Sequence, residues 1–119
     1  MGIVSIERIE PAGHLSKAVV HNGTVYLAGL IADDDSLDVG GQTKQVLDKI
    51  DRYLAEAGSN KTKLLSTVIY LTDISLKDAV DEHWIPWIGD GHQPARACVG
   101  GAQLATPKLQ VEIMVTAAI

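Results

Sequence analysis

Apolar and polar residues alternate with a period of two over the first thirty positions and again over the last twenty-five. Between them lie two stretches with a period close to four. Lys17-Ala18-Val19-Val20 and Thr24-Val25-Tyr26-Leu27-Ala28 flank His21-Asn22-Gly23, where Asn-Gly supplies the positive φ angles of a tight hairpin turn. Ahead of them, Ile3, Ser5, Glu7 and Ile9 predict an opening strand that runs until Pro11-Ala12-Gly13 interrupts it. Asp33-Asp34-Asp35-Ser36 reads as a solvated turn, since it lacks the alternating ligands and terminal Glu of a calcium loop.

From residue 41 to residue 57 the stripe Val46, Leu47, Ile50, Leu54 and Ala57 opposes Lys44, Asp48, Asp51 and Arg52, and Gly58 supplies a C-terminal stop. This predicts an amphipathic helix. Leu64-Leu65-Ser66-Thr67-Val68-Ile69-Tyr70-Leu71 is nearly continuous in apolar and β-branched residues and predicts a central strand, which Thr72-Asp73 closes. A second helix is expected to open at Ser75, with the serine hydroxyl as cap and the stripe Leu76, Ala79, Val80, Trp84, Trp87 and Ile88. Pro86 inside that stripe predicts a kink or an end before Trp87. After the turn-rich residues 89–94, strands are expected over 95–101 and 108–117, joined by a loop containing Thr106-Pro107. The order β-β-β-α-β-α-β-β predicts an α+β fold: one two-layer domain over residues 1–119, with a mixed six-stranded sheet and both helices on one face. The other sheet face has no helix to cover it, so it is either polar or covered by another subunit.

Composition sharpens that last point. Hydrophobic residues make up 46% of the 119, yet there are three Tyr, two Trp and no Phe, so the interior is expected to consist of Val, Ile, Leu and Ala. A chain of this size buries only about two-thirds of its unfolded surface, and an aromatic-poor core favours association with copies of itself. Ten basic against fifteen acidic residues give a net charge of −5, the wrong sign for a nucleic-acid partner. The single cysteine, Cys98, excludes an intrachain disulfide and a multi-cysteine zinc site, and fits a reducing, cytoplasmic setting. No apolar run approaches the roughly 20 residues of a membrane span, and the N-terminus lacks a basic, signal-like start.

Candidate chemistry gathers near the C-terminus. Alternation puts Arg96, Cys98 and Gly100 on one face of their strand, and Gln110, Glu112, Met114 and Thr116 on the less apolar face of the last. If the two strands form an antiparallel hairpin centred at position 104, Arg96 and Glu112 meet across it, either as an ordinary ion pair or as part of a site. Cys98 is by type a small buried hydrophobe, and no histidine stands where it would act as its base. His14, His21, His83 and His92 lack metal-ligand spacing, so no metal is expected. Gly40-Gly41-Gln42-Thr43-Lys44 is not a phosphate loop, and no serine lies in a nucleophile-elbow context. Trp84 and Trp87 could stack a planar ligand, but at helical spacing beside Val80 they read as packing anchors.

Pro94-Ala95-Arg96-Ala97-Cys98-Val99, followed by Leu109-Gln110-Val111-Glu112-Ile113, resembles the RidA (YjgF) family of small enamine/imine deaminases. The likeness extends to residues 22–29, to 42–48 with 54–58, and to 67–73, so it covers nearly the whole chain in order. It implies a chorismate-mutase-like fold assembled as a homotrimer with ligand clefts between subunits. It also implies hydrolysis of 2-aminoacrylate-type enamines and imines to 2-oxo acids and ammonia without cofactor or metal. Arg96 matches the arginine that grips the substrate carboxylate, Glu112 the glutamate that activates the water, Gly29 a position whose backbone lines the pocket, and Cys98 a cysteine often found there. Departures from the family pattern are Leu15 in place of a tyrosine, Ala28 in place of a serine, Asp81 in place of an asparagine and Leu30 in place of a glutamine. They imply a roomier, less polar pocket in which Asp81 would repel a second anionic group. The competing reading is a non-catalytic trimeric sensor of small carboxylates; ribonuclease activity is disfavoured by the net charge.

Overall fold

A computed structural model describes residues 5–119. The elements are β1 (Glu7–Ala12), β2 (Leu15–His21), β3 (Thr24–Leu27), α1 (Val39–Glu56), β4 (Leu64–Leu71), α2 (Lys77–Ile88), β5 (Ala95–Val99) and β6 (Val111–Ala118), with 3-10 turns at Lys61–Lys63 and Ile74–Leu76. The order is the expected one. The six strands form a single mixed sheet in the order β1-β2-β3-β6-β4-β5.

Local chemistry explains most element ends. Asn22 and Gly23 adopt φ values of 50° and 80°, which the two-residue hairpin between β2 and β3 requires. Ile3 lies outside the described residues, and β1 does not stop at Pro11: it continues to Ala12, with Pro11 opposite Ser16. β1 is an edge strand, so a missing N–H there can face away from the ladder without loss. Asp38 caps α1 by accepting from the Gly41 N–H at 2.8 Å. The start of the second helix differs from expectation. The Asp73 carboxylate accepts from the Ser75 N–H at 2.8 Å and opens a 3-10 turn from which α2 emerges, so Ser75 is capped rather than capping. Nor does α2 end before Trp87. It runs through Pro86 to Ile88, because Ile88 is buried and the Trp87 indole N–H donates to Asp51 on α1, contacts that hold the last turn despite the lost backbone donor.

The helix-facing side of β6, Val111, Ile113, Val115 and Ala117, packs with Val25, Ile69 and Leu71 against Val46, Leu47, Ile50 and Leu54 of α1 and Val80, Trp84 and Ile88 of α2. Among the described residues, Tyr53 and Trp84 are the aromatic members of this buried cluster, with Trp87 packed against it, so the interior is filled mostly by aliphatic side chains. Gln42 is an exception to the apolar stripe. It is fully buried, its amide donates to the carbonyls of Leu37 and Lys108 (both 3.0 Å), and its oxygen accepts from the Gln110 N–H at 2.9 Å. It therefore ties α1 to the segment entering β6.

One expected pairing is overturned. β5 and β6 do not form a hairpin: β4 lies between them, antiparallel to β6 and parallel to β5. The helix α2 connects β4 to β5, and a helical crossover returns the chain parallel to the strand it left. The face opposite the helices carries Tyr26, Met114 and Val99, which are 48%, 39% and 43% exposed.

Candidate functional site

The split of the sheet decides where each candidate side chain points. Arg96 pairs with Thr67 and Cys98 with Ile69, both residues of the buried side of β4, so Arg96 and Cys98 look toward the helices. Glu112 pairs with Tyr70. Thr67 and Tyr70 are three residues apart, an odd number, so Glu112 lies on the opposite, open face. The expected meeting of Arg96 with Glu112 does not occur within one chain.

Arg96 is engaged instead by α2. Its two terminal nitrogens donate to the two carboxylate oxygens of Asp81, at 2.6 Å to Oδ1 and 3.2 Å to Oδ2. The guanidinium carbon lies 5.6 Å from the centroid of the Trp84 ring, within cation–π range. Lys77, one helical turn before Asp81, donates to Oδ2 at 2.8 Å. The side chains of Arg96 and Asp81 are 20% and 14% exposed, so this is a partly buried fork-to-fork pair with one edge toward solvent. The Arg96 hydrogen bond, helped by Lys77 and opposed by burial, holds the Asp81 carboxyl below the usual carboxylate range. Burial pushes the Cys98 thiol up despite the nearby Arg96 charge, so Cys98 remains a thiol and is poorly suited to be a nucleophile.

On the open face, Glu112 lies against Gly29. A Cβ built on Gly29 would fall 3.0 Å from the Glu112 carboxyl carbon and closer still to Oε2, so only glycine leaves room for the carboxylate there. The backbone sets this approach: Leu30 and Ile113 exchange hydrogen bonds at 2.9 and 3.1 Å, which locks Gly29 beside Glu112. Ala28 precedes it, its N–H bonded to the Lys17 carbonyl at 2.9 Å. Leu15 opens β2 opposite Ala12 and, at 37% exposed, shares the open face by alternation with Val19 and its partner Tyr26.

The expected residues thus fall into two groups. Arg96, Cys98 and Asp81 lie under the helices at the β5 edge, and Glu112, Gly29, Ala28 and Leu15 lie on the open side. Lys77 and Trp84 complete the first group. The (i, i+4) spacing of Lys77 and Asp81 is a readable signal, whereas the contact of Asp81 with Arg96 depends on the crossover. Beyond Asp81, Asp78, Glu82, Ile85 and Pro86 line a cavity of about 470 Å³ with it. Among the described residues, no cluster of His, Cys, Asp or Glu could hold a metal ion, and no helix is long and apolar enough to cross a membrane.

Comparison with known proteins gives a consistent picture. The family model described as endoribonuclease L-PSP matches residues 5–119. A RutC family protein of Haemophilus ducreyi is 37% identical over 114 residues, covering 96% of this chain and 97% of its own. The RutC family protein YoaB of Escherichia coli is 37% identical over 116 residues, covering 98% and 100%. A crystal structure of NMB1025, a member of the YjgF protein family from Neisseria meningitidis, superposes with a TM-score of 0.90 at 39% identity, covering 96% of this chain and 94% of that one.

Proposed function

The chain belongs to the endoribonuclease L-PSP family, the YjgF/RidA group, and from that premise we propose that it hydrolyses small reactive 2-enamino and 2-imino acids to 2-oxo acids and ammonia. The observation that carries this reading is Arg96, a guanidinium fixed on the ring of Trp84 with part of its surface open to solvent. A planar fork of N–H donors in that setting suits a carboxylate better than a lysine point charge would. Glu112, held against Gly29, places a carboxylate on the open face.

Because the two groups occupy opposite faces, the site is assembled from two copies, one offering Arg96 and the next offering Glu112. The partly apolar open face, with Tyr26, Met114 and Val99 exposed, is the surface that the copies cover, in a closed homotrimer of single-domain chains. Arg96 binds the carboxylate of the imino acid. Glu112 takes a proton from a water as its oxygen adds to the C=N carbon, giving a tetrahedral carbinolamine. For the protonated imine, that proton passes from Glu112 to the carbinolamine nitrogen, the C–N bond breaks as the hydroxyl oxygen forms the C=O bond, Glu112 takes up the hydroxyl proton, and ammonia leaves. Water is the only co-reactant, so neither a cofactor nor a metal is required. Leu15 and Ala28 give the Glu112 side an aliphatic wall.

A second reading is a trimeric sensor that binds carboxylates without turnover. It is favoured by one observation: Asp81 already occupies part of the Arg96 fork. RNA cleavage, named in the family's description, fits poorly with a net charge of −5. The deciding experiment generates imines in situ with an amino-acid oxidase and follows ammonia release and semicarbazide trapping. Accelerated loss of the imine, abolished by Arg96→Ala and much reduced by Arg96→Lys, supports the deaminase. Binding without acceleration for any 2-imino acid selects the sensor.

A further inference from the structure

We propose that Asp81 sets the ligand class of the Arg96 clamp, restricting it to monocarboxylates with an uncharged or cationic tail and rejecting dicarboxylates. The proposal rests on the reading of Arg96 as a carboxylate anchor. It follows from how the guanidinium is already used.

A guanidinium offers five N–H donors. Asp81 takes one from each terminal nitrogen, so a ligand carboxylate arrives as the second carboxylate on the same cation and uses the donors that remain. Asp81 does not swing aside at low cost, because Lys77 holds Oδ2 from one helical turn away and the Asp81 side chain is itself mostly buried. Lys77, Arg96 and Asp81 together carry one net positive charge. One monocarboxylate balances it. A second negative charge on the ligand has no partner and stands near Asp81, in a partly buried setting where like charges repel more strongly than in water.

The surroundings act in the same direction. A hollow lined by Asp78, Asp81 and Glu82 with Ile85 and Pro86 shares Asp81 with the ion pair but not Arg96, whereas the hollow that Arg96 itself lines is formed with Ser66, Thr67, Val68, Ala95 and Ala97. A ligand tail that passes Asp81 meets Asp78 and Glu82, and one that stays in the Arg96 hollow meets hydroxyl and aliphatic side chains; neither offers a second basic group. An alkyl or ammonium-bearing tail is accommodated, and a carboxylate tail is not. Asp81 thereby acts as a specificity-determining residue that works through Arg96.

The test uses stable 2-oxo acids as probes, so it does not depend on turnover: 2-oxobutyrate as the monocarboxylate and 2-oxoglutarate as the dicarboxylate, titrated calorimetrically into the full chain. The wild type is expected to prefer 2-oxobutyrate. Asp81→Asn keeps the shape and removes the charge, and it should tighten both ligands, 2-oxoglutarate more, so that the preference falls about tenfold at low salt and less at high salt. Lys77→Met removes a positive charge and should shift the preference the other way, which provides a second measurement if the first variant does not fold. An unchanged preference in both variants, or equal weakening of both ligands by Asp81→Asn, overturns the proposal, because a merely structural prop would behave that way. Binding that survives Arg96→Ala overturns the clamp itself. Imine turnover with no shift in preference leaves the deaminase standing and removes this inference; a shift in preference without turnover does the reverse.

Discussion

Arg96 and Glu112 stand on opposite faces of one sheet, with β4 between their strands. No side-chain rotation brings them together, so any chemistry that uses both requires two chains. That requirement can be tested with two inactive proteins. If Arg96→Ala and Glu112→Gln chains are mixed, unfolded and refolded together in equal amounts, half of the Arg sides and half of the Glu sides are intact. Random pairing then restores about a quarter of wild-type activity when neighbouring copies share each site. Each variant alone should be inactive, and a mixture as inactive as its parts would place the site within one chain.

Gly29 and Glu112 give a prediction that separates stability from activity. A methyl group at position 29 meets the end of the Glu112 side chain and not the backbone. The carboxylate can rotate away, so the fold should survive: thermal unfolding of Gly29→Ala is expected close to wild type. Activity should fall roughly a hundredfold, the lower range for loss of a positioned acid-base group. A variant with unaltered turnover would show that the carboxylate has no part in the reaction.

Asp81 should show a characteristic acid response. Its carboxyl is held below the ordinary value of about 3.9 by Arg96, with Lys77 assisting. A carboxyl depressed in the folded state stabilises the fold at pH above the unfolded value, and that contribution is lost as pH falls through the folded value. The urea midpoint of the wild type should therefore exceed that of Asp81→Asn at pH 6, and the gap should close on acidification below pH 4. Carboxyl NMR should find Asp81 titrating below the ordinary value, and higher after Arg96→Ala. Titration at or above the ordinary value in the wild type would mean the ion pair does not persist in solution.

Gln42 is expected to matter more than its surface-like residue type implies. Its fully buried side chain satisfies two backbone carbonyls at 3.0 Å and one N–H at 2.9 Å, on residues that are themselves only partly covered. Gln42→Leu keeps most of the volume and orphans those groups, at a cost of about 2–4 kcal/mol. Denaturant unfolding measures this directly. A loss below about 0.5 kcal/mol would mean that water replaces the side chain.

Much of the fold is legible in the residues because its signals are local. Asn22-Gly23 dictates a hairpin, the Val46 to Leu54 stripe dictates a helix, and the nearly continuous apolar and β-branched run from Leu64 to Leu71 becomes β4 with the same two ends. Less local features were harder to read. The sum of positions that would pair Arg96 with Glu112 is arithmetically sound for a hairpin, but it carries no information about a third strand inserted between the two. That β4 fills the gap follows from the α2 crossover, a property of connection handedness and not of any single residue. Asp73 outcompetes Ser75 as a cap because a carboxylate is the stronger acceptor for an N–H two residues on, a contest that spacing alone leaves open. Pro86 fails to end α2 because Trp87 and Ile88 are anchored on other elements. The Arg96–Asp81 pair spans two elements separated by a turn-rich loop, and it becomes visible only when α2 lies over β5. Gln42 is hidden for the same reason: its partners at Lys108 and Gln110 are far along the chain.

The position of β5 has a dynamic consequence. It is hydrogen-bonded on one side only, at the end of the sheet, whereas β4 and β6 are flanked on both. Strands held by a single ladder open at lower free energy than those between two neighbours. The Arg96 backbone therefore belongs to the part of the sheet expected to exchange its amide hydrogens first, and the orientation of its side chain depends on Trp84 and Asp81 more than on its own strand. Two side-chain partners hold the tip of this side chain, and a single ladder holds its base. Small adjustments of β5 could then change the reach of the guanidinium without disturbing the core beneath it.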